Sequence, residues 1–552
     1  MDSIKITKVF FVLSIISLFF TNELIYLFFN NTFSPDFATY SSYFNYFFGD
    51  FDTIKREQGL FYFFVQSLFA KYNYLNFELD YGDLFLHKST LQANILFYIY
   101  GLLGYFLLLR KIGVSKKNIF ITFIFLNFFP LTFALRMTLK PEIVAFAFLP
   151  WIIYLIEMYL SSRNLKFLIF SVPYIAILST SKASIFIICF LFLGFFYTFK
   201  LLNTNFKFFI IFALTTIVSI GLLTFENSKA GSLYLFNIAS GSAEDIEIDA
   251  ARYDNKADIK FAYKVDLFKL ATSPIKDVHK DSFISITLLD TFGDYFGLYW
   301  NNNASLFFKD RLEIIDLEKS NLIKGPEVDS VNNQIIFYVQ NETDLYLRQT
   351  ISLIFGFAFY FLLIKNIFSN KKFKKFFIAP FFGSVAILIH VISGFPKNNF
   401  DPLKGDTLKP YYYSFLVCLA FVFLIIKLLE NNKKFIFFLV PYIFFTLVIL
   451  GFPKNLENQI DYIIYKSSES AICEIDNIFI LKKFNSNYCS NYQNIENKKD
   501  YGMYENRLKI PIINLIFMFF IFTSNLKLLY DSNYLVDKRK KLPFIIKNKT
   551  NK

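Results

Sequence analysis

The chain has 552 residues, of which 55% are hydrophobic and 18% are charged, and its formal net charge is +13. So much apolar sequence excludes a soluble globular protein and indicates one that crosses a membrane many times. The clearest concentrations of positive charge sit beside apolar segments, where anionic lipid headgroups are the expected partner, so we predict no nucleic-acid partner.

About twelve apolar segments, each long enough to cross a bilayer, follow one another along the chain. Their approximate bounds are Val9–Phe29, Leu91–Leu109, Ile119–Leu135, Ile143–Leu160, Phe167–Ser179, Ile185–Phe199, Phe208–Phe225, Thr350–Ile367, Phe376–Ile392, Tyr412–Leu429, Phe435–Phe452 and Ile510–Leu529. The fifth and sixth are read as two short spans that turn at the outer side, because polar residues separate them. The expected fold is an all-α polytopic membrane protein.

Short basic loops alternate with long loops that hold nearly all the carboxylates. Examples of the basic set are Arg110/Lys111, Lys374/Lys375 and Lys538–Lys541. Because Lys and Arg are retained in short cytoplasmic loops, we predict that both termini are cytoplasmic and that the long loops face the other side. A bacterial inner (plasma) membrane is the expected location.

The loop lengths divide the chain into four parts. Residues 1–225 form an N-terminal transmembrane module with a first outer loop at 30–90, and 226–346 are polar enough for a small mixed α/β or irregular extracytoplasmic domain. Residues 347–529 form a C-terminal transmembrane module with an outer loop at 453–509, and 530–552 form a basic tail. Cys473 and Cys489 share that outer loop, so we expect a disulfide if the compartment is oxidising.

The strongest local pattern follows the first span. Ser34-Pro35-Asp36 leads into aromatic residues at helical spacing, Tyr40 among them, which is typical of amphipathic helices at a membrane interface. A partly desolvated carboxylate at that depth could act as a general base. Asp before an apolar-periodic run is also a favoured helix cap, and both roles of Asp36 stay open.

No Gly-rich nucleotide loop is present, and the cytoplasmic loops are too short for a nucleotide-binding domain. In the order Pro35-Asp36, Tyr40 and Gly49 the chain resembles the GT-C class of polytopic glycosyltransferases, such as mannosyltransferases and aminoarabinose transferases. The turn from Arg136 to Glu142 looks like the one that opens the fourth span of that class. The stretch 405–412 is similar to its basic-Tyr entry into a late span.

The resemblance implies a polyprenyl-phosphate sugar donor and a glycan, lipid or protein acceptor on the extracytoplasmic side. Asp36 would be the general base of an inverting transfer. Phe37 stands where the class has a second acid, so a paired-carboxylate site is not expected at that point. Membrane lipids are the other partners that we expect.

A lipid phosphate at headgroup level needs charge-assisted donors. The basic candidates for phosphate binding are Arg136, Lys140, Lys182, Arg348 and Lys409. Snorkelling to headgroups is the alternative for each of them. Lys182 is the most unusual, because it lies between short apolar stretches, where charge is costly and often functional.

Other polar residues are candidates for metal, sugar or acceptor binding. Asp50 and Asp52 form a DxD pattern that could bind a divalent cation, although a solvated turn is the more common origin of such a short pattern; no other cofactor is expected. The sugar or acceptor candidates are Tyr40, Asp290, Asp294, Tyr295 and Tyr411. For the aromatic stretch 289–300 a buried aromatic hairpin is the alternative.

Two further functions remain open at the level of sequence. A polysaccharide polymerase or ligase is also many-spanned, with a large outer loop and Arg-dependent phosphate contacts. A non-enzymatic transporter or flippase should carry discontinuous helices or paired charges well inside several spans, where only Glu23 and Lys182 are evident here.

Overall fold

The computed structural model describes residues 3–29, 37–49, 54, 58–76, 82–231, 259–272, 282–293, 321–329, 334–340, 342–370, 372–392, 410–450, 460–466 and 508–540. Most of this part of the chain is helical. The helices are α1 (Ser3–Phe29), α2 (Phe37–Phe48), α3 (Leu60–Asn76), α4 (Gly82–Lys111), α5 (Lys116–Asn127), α6 (Pro130–Met137), α7 (Glu142–Ser162), α8 (Lys166–Ser181), α9 (Ala183–Thr204), α10 (Phe206–Lys229), α11 (Lys260–Tyr263), α12 (Leu267–Thr272), α13 (Phe283–Phe292), α14 (Glu342–Ser369), α15 (Lys374–Ile392), α16 (Ser414–Asn431), α17 (Leu439–Leu450) and α18 (Ile512–Lys540). Two 3-10 helices, η1 (Pro410–Tyr413) and η2 (Lys433–Phe438), precede α16 and α17.

Eight helical stretches of the described chain are long and apolar enough to cross a membrane. They are α1, α4, α7, α9, α10, α14, η1 with α16, and η2 with α17. The bent pair α5–α6 makes a ninth if it counts as one span, and shorter apolar helices occur at α8, α13 and the first part of α18. The prediction of a helical integral membrane protein is therefore confirmed.

Two of the spans form the centre of the protein. In α7 and in η1–α16, 83% of the most apolar window is buried inside the protein, compared with 17% in α10. Large apolar side chains such as Ile217 and Phe225 stay exposed on α10, as expected for a face that meets lipid. The first residues of α7 and α16, Glu142 and Ser414, are consequently buried.

The predicted span Ile119–Leu135 requires a correction, because it is two helices rather than one. The axes of α5 and α6 differ by 67° at a break that precedes Pro130. Pro130 has no backbone N–H to continue the helix, and the hydroxyl of Thr132 donates to the carbonyl oxygen of Leu126 at 2.9 Å. Polar backbone freed at a break inside a membrane must be satisfied in this way by the protein itself.

The region between residues 167 and 199 contains two helices, as the sequence predicts. Helix α8 ends at Ser181, α9 begins at Ala183, and Lys182 between them is extended, with φ −164° and ψ 141°. This single extended residue presents its backbone and its side chain in directions that a continuous helix would not allow.

Three strands form an antiparallel sheet. They are β1 (Asn321–Asp329), β2 (Gln334–Gln340) and β3 (Ile460–Lys466), and β2 lies in the middle. The sheet thus joins a segment of the predicted 226–346 region to a segment of the predicted outer loop 453–509.

Candidate functional site

A buried cluster of charged and aromatic residues lies where α7 begins, at the end of the helices opposite the basic loops. We call Lys140, Glu142, Lys182, Tyr411 and Tyr412 the lysine–glutamate cluster. Glu142 is the first residue of α7 and is fully buried. Its Oε1 accepts a hydrogen bond from Nζ of Lys182 at 2.5 Å. Its Oε2 is buried without a hydrogen bond to any described residue.

The two lysines of the cluster meet on one aromatic ring. Nζ of Lys182 lies 4.7 Å from the ring centroid of Tyr412, and Nζ of Lys140 lies 5.7 Å from it. Lys140 is 3% exposed. A cation over an aromatic face is stabilised by the ring quadrupole, most strongly where water is excluded. The cluster therefore holds two ammonium groups against one aromatic ring, and one of them, that of Lys182, is paired with the Glu142 carboxylate.

A network of uncharged hydrogen bonds fixes the turn that carries Lys140. The hydroxyls of Thr138 and Tyr411 are joined at 2.7 Å. The amide of Asn94 donates to the carbonyl oxygen of Thr138 at 2.8 Å, and the hydroxyl of Tyr62 donates to Oδ1 of Asn94 at 3.0 Å. Burial raises the pKa of the Tyr62 hydroxyl well above its ordinary value, so this group remains a neutral donor rather than a base.

A short backbone bridge connects Lys182 with the loop after the first span. Gln58 pairs with Lys182 as an isolated antiparallel bridge, and the Gly59 N–H donates to the carbonyl oxygen of Ser181 at 3.0 Å. A Cβ added at Gly59 would lie 1.9 Å from the carbonyl oxygen of Thr180. Only glycine fits this close approach. We call the backbone pairing of Gln58 and Gly59 with Ser181 and Lys182 the Gln58 bridge.

Helix α2 is held to the Gln58 bridge by two tyrosines. The hydroxyl of Tyr43 donates to the carbonyl oxygen of Gln58 at 2.8 Å, and the side-chain amide of Gln58 donates to the hydroxyl of Tyr40 at 3.5 Å. Tyr40 is buried. The helix begins at Phe37, directly after Asp36 in sequence. A chain of contacts therefore runs from the helix that follows Asp36 to the lysine–glutamate cluster.

Arg136 lies outside this cluster, at the α5–α6 break, and the prediction that it binds phosphate stays a prediction. Its side chain is 1% exposed, and Nη1 donates to the side chains of Thr21 and Asn22 of α1. Nε donates to the carbonyl oxygen of Thr132, and Nη2 donates to that of Asn127. The guanidinium thus satisfies the α5–α6 break and ties it to α1, because buried charged donors need such partners.

Two other candidates, Asp290 and Arg348, are buried on other helices. Asp290 lies on α13 and is 2% exposed, and Arg348 lies on α14 and is 3% exposed. Tyr413, the last residue of η1, interacts electrostatically with Asp290, whereas the preceding Tyr411 and Tyr412 face the lysine–glutamate cluster. Asp290 and Arg348 are therefore not part of the lysine–glutamate cluster as we define it.

The remaining predicted site residues lie outside the described part of the chain. They are Asp36, Asp50, Asp52, Asp294, Tyr295, Lys409, Cys473 and Cys489. Within the described residues, no group of three or more His, Cys, Asp or Glu side chains could hold a metal ion. The general-base, divalent-cation and disulfide predictions stay predictions.

The sequence pattern did not single out Glu142 as a site residue. It marks Glu142 only as part of a Pro-acid turn, whereas in the structure Glu142 is the ion-pair partner of Lys182, forty residues away. The available signal was an acid directly after Pro141 and directly before a long apolar helix, where it meets the positive end of the helix dipole. Gln58 carried no comparable signal, and Tyr412 was marked only as the end of the stretch 405–412.

Comparison of the chain with protein-family models, with curated protein sequences and with solved structures finds no match.

Proposed function

We propose that the protein is a glycosyltransferase of the GT-C type, which moves a sugar from a polyprenyl-phosphate donor to an acceptor on the extracytoplasmic side. The observation that carries the proposal is the lysine–glutamate cluster. It offers two ammonium groups at one end of the helices, that of Lys140 buried and that of Lys182 partly buried, and it is connected through the Gln58 bridge to the helix that follows Asp36. Buried cations near a membrane surface are suited to a lipid phosphate.

The proposed topology has twelve spans. It counts the bent pair α5–α6 as one span and adds α8, α15 and α18 to the eight long helices. The basic loops then lie on the cytoplasmic side of a bacterial inner membrane, and both termini lie there as well. The lysine–glutamate cluster falls at the opposite, extracytoplasmic ends of α7, α9 and α16.

In the proposed reaction the acceptor hydroxyl attacks the anomeric carbon of the donor sugar. A bond forms between the acceptor oxygen and the anomeric carbon, and the bond from that carbon to the phosphate oxygen breaks. Asp36 takes the hydroxyl proton, and the polyprenyl phosphate leaves with the electron pair. Lys140 and Lys182 stabilise the charge that develops on the leaving phosphate. A single displacement of this kind inverts the configuration of the sugar.

A transporter is the second candidate, because one observation favours it. The α5–α6 pair is a discontinuous helix, and transporters commonly bind substrates at such breaks. In this chain, however, the break is occupied by the protein itself: Arg136 donates to the carbonyl oxygen of Asn127, and Thr132 donates to that of Leu126. The transferase is therefore the better supported proposal.

The test is transfer by purified protein in bilayers that contain labelled polyprenyl-phosphate sugars. We expect donor consumption by the wild type and its loss in Asp36→Asn, while expression and membrane insertion are retained. Asp80→Asn, in the same loop and without an assigned role, serves as the matched control, and we expect it to stay active. Near-normal turnover by Asp36→Asn would remove Asp36 from the mechanism.

A further inference from the structure

A short segment that precedes α13 exposes a row of large apolar side chains. It comprises Ile259, α11, α12 and the three residues between these helices, and we call residues 259–272 the α11–α12 segment. Its exposed apolar side chains, with exposed fractions between 63% and 76%, are those of Ile259, Tyr263, Leu267 and Phe268. Lys264 is exposed among them. Large apolar side chains grouped in this way on a surface mark a place where a partner or a membrane is met.

The other side of the α11–α12 segment is held to α13 by buried contacts. Phe261 is buried, and the centroid of its ring lies 6.0 Å from that of Phe283, the first residue of α13. The hydroxyl of Ser282, directly before α13, donates to the carbonyl oxygen of Lys264. Leu270 is buried as well. The segment therefore has one side packed against the protein and one apolar side that stays exposed.

A hydrogen bond to α14 fixes the height of the segment relative to the spans. The side-chain amide of Gln349 donates to the carbonyl oxygen of Leu270 at 3.5 Å. Gln349 is the third residue of the apolar stretch Leu347–Ser369 of α14, so it lies within the first helical turn of that span. The α11–α12 segment consequently lies at the level where α14 enters the membrane.

We propose that the α11–α12 segment lies on the membrane surface and inserts its exposed apolar side chains into the adjoining lipid leaflet. Ile259 and Phe268 are 64% and 76% exposed, which is as much as Ile354 and Phe361 within the span of α14, at 61% and 67%. Tyrosine and lysine are the residue types that hold such a segment at the level of the lipid headgroups. The proposal is independent of the proposed reaction.

The first measurement uses the full-length protein without substitutions. It is placed in phosphatidylcholine nanodiscs that contain a phosphatidylcholine with a photoreactive diazirine on one acyl chain. After irradiation, peptide mass spectrometry locates the lipid adducts. We expect adducts on Tyr263, Leu267 and Phe268 at a yield comparable to that on Ile217 of α10, which is 65% exposed within its span. Adducts on α10 without any on the α11–α12 segment would overturn the proposal.

The second measurement gives the depth of the segment. Nitroxide labels are attached through Tyr263→Cys, Phe268→Cys and Ile217→Cys after alanine has replaced the four native cysteines. Relaxation by oxygen, which dissolves in lipid, is compared with relaxation by a water-soluble nickel chelate. We expect the labels at 263 and 268 to lie about 5–10 Å below the lipid phosphates, and the label at 217 to lie about 15 Å below them. A label at 263 or 268 that lies in water, or that neither reagent reaches because protein covers it, would overturn the proposal.

A paired substitution tests whether contact with lipid holds the segment in place. Leu267→Ser combined with Phe268→Ser should move the label at Tyr263 from lipid into water. Leu214→Ser combined with Ile217→Ser makes the same kind of change at two exposed positions of α10 and should leave that label at its depth. An unchanged depth in the first variant would overturn the proposal that these side chains anchor the segment. None of the three measurements includes a sugar donor, so their outcome does not depend on transfer activity.

Discussion

Helix α7 carries a lysine–glutamate pair near each end, and the two pairs differ. At its first residue, Glu142 is fully buried and contacts Lys182, while Oε2 has no hydrogen bond to a described residue. Near its last turn, Glu157 is 26% exposed and accepts hydrogen bonds from Lys375 and from the hydroxyl of Tyr197, the latter at 3.0 Å. The pairs are about 22 Å apart along the helix.

The difference indicates which pair has a purpose beyond packing. In the second pair, between Lys375 and Glu157, a third protein group also takes part, because Nζ of Lys375 donates to the hydroxyl of Tyr197 at 2.8 Å. It ties α15 to α7 and α9. The first pair combines deeper burial, a second cation and an unused acceptor, which is costly unless something else gains from it. The same residue types therefore form a contact between helices near the last turn of α7 and a candidate binding site at its first residue.

The largest expected effect is a difference in transfer rate between variants of Lys182 and of Lys375, the lysines of the two pairs. Lys182→Met should lower the rate of sugar transfer at saturating acceptor and limiting donor by about a hundredfold, because truncation of one member of a buried pair removes several kcal/mol of interaction with the ligand or its partner. Lys375→Met, the matched change at the other end, should keep transfer within about threefold of wild type. Equal losses in both variants would erase the functional distinction between the pairs.

The next prediction concerns the Gln58 bridge. Gly59→Ala places a Cβ at 1.9 Å from the carbonyl oxygen of Thr180, so the bridge must open and Lys182 must shift. We expect about tenfold slower transfer and about 1–3 kcal/mol lower stability. Gly221→Ala is the control, since nothing lies within 4 Å of a Cβ at that site. Transfer rates and thermal unfolding of the two variants test this, and normal transfer by Gly59→Ala would show that the bridge does not position the site.

A smaller effect, on stability, is expected when the pair between Lys375 and Glu157 near the last turn of α7 is removed. Lys375→Met removes the cation that joins α15 to Glu157 and Tyr197, and we expect a loss of about 1–2 kcal/mol, less than for a fully buried pair because both partners are partly exposed. Thermal unfolding in detergent measures it. An unfolding temperature equal to that of the wild type would mean that this pair contributes nothing to the fold.

The sequence predicted a helical membrane protein with many long apolar helices, because hydropathy over about twenty residues is a local property, whereas the count of twelve spans stays a prediction. It also singled out Lys182, whose charge interrupts an apolar region. It could not pair Lys182 with Glu142 or with Gln58, because those contacts join residues forty or more positions apart, and only the packing of α7, α8 and α3 brings them together. Long-range contacts of single residues leave no periodic pattern.

For Arg136 the sequence suggested a role but could not choose between two. Its position near the end of an apolar segment is compatible with phosphate binding and with an internal role. The choice depends on α1, whose Thr21 and Asn22 accept from Nη1 across more than a hundred residues. Pro130 was the one local signal in the sequence. Proline cannot continue a helix, and the carbonyl oxygens at the resulting break need donors.

The smallest expected effect is on the pH dependence of stability. Burial lowers the pKa of Lys375 below its ordinary value of 10.5, and Lys200 acts in the same direction, while Glu157 opposes both. In the alkaline range below 10.5 the unfolded chain therefore binds a proton that the native protein binds less tightly, so stability rises with pH. We expect Lys375→Gln to lose about 1–2 °C of this rise in thermal unfolding temperature. An identical pH profile in both proteins would contradict the assignment.

The most direct test of the central claim is a structure of the protein in lipid nanodiscs with a polyprenyl-phosphonate sugar, an analogue of the proposed donor that cannot be cleaved. We predict that the phosphonate oxygens lie at about 3 Å from Nζ of Lys140 and of Lys182. A phosphonate bound beside Lys375, or in the break between α5 and α6, would contradict the account.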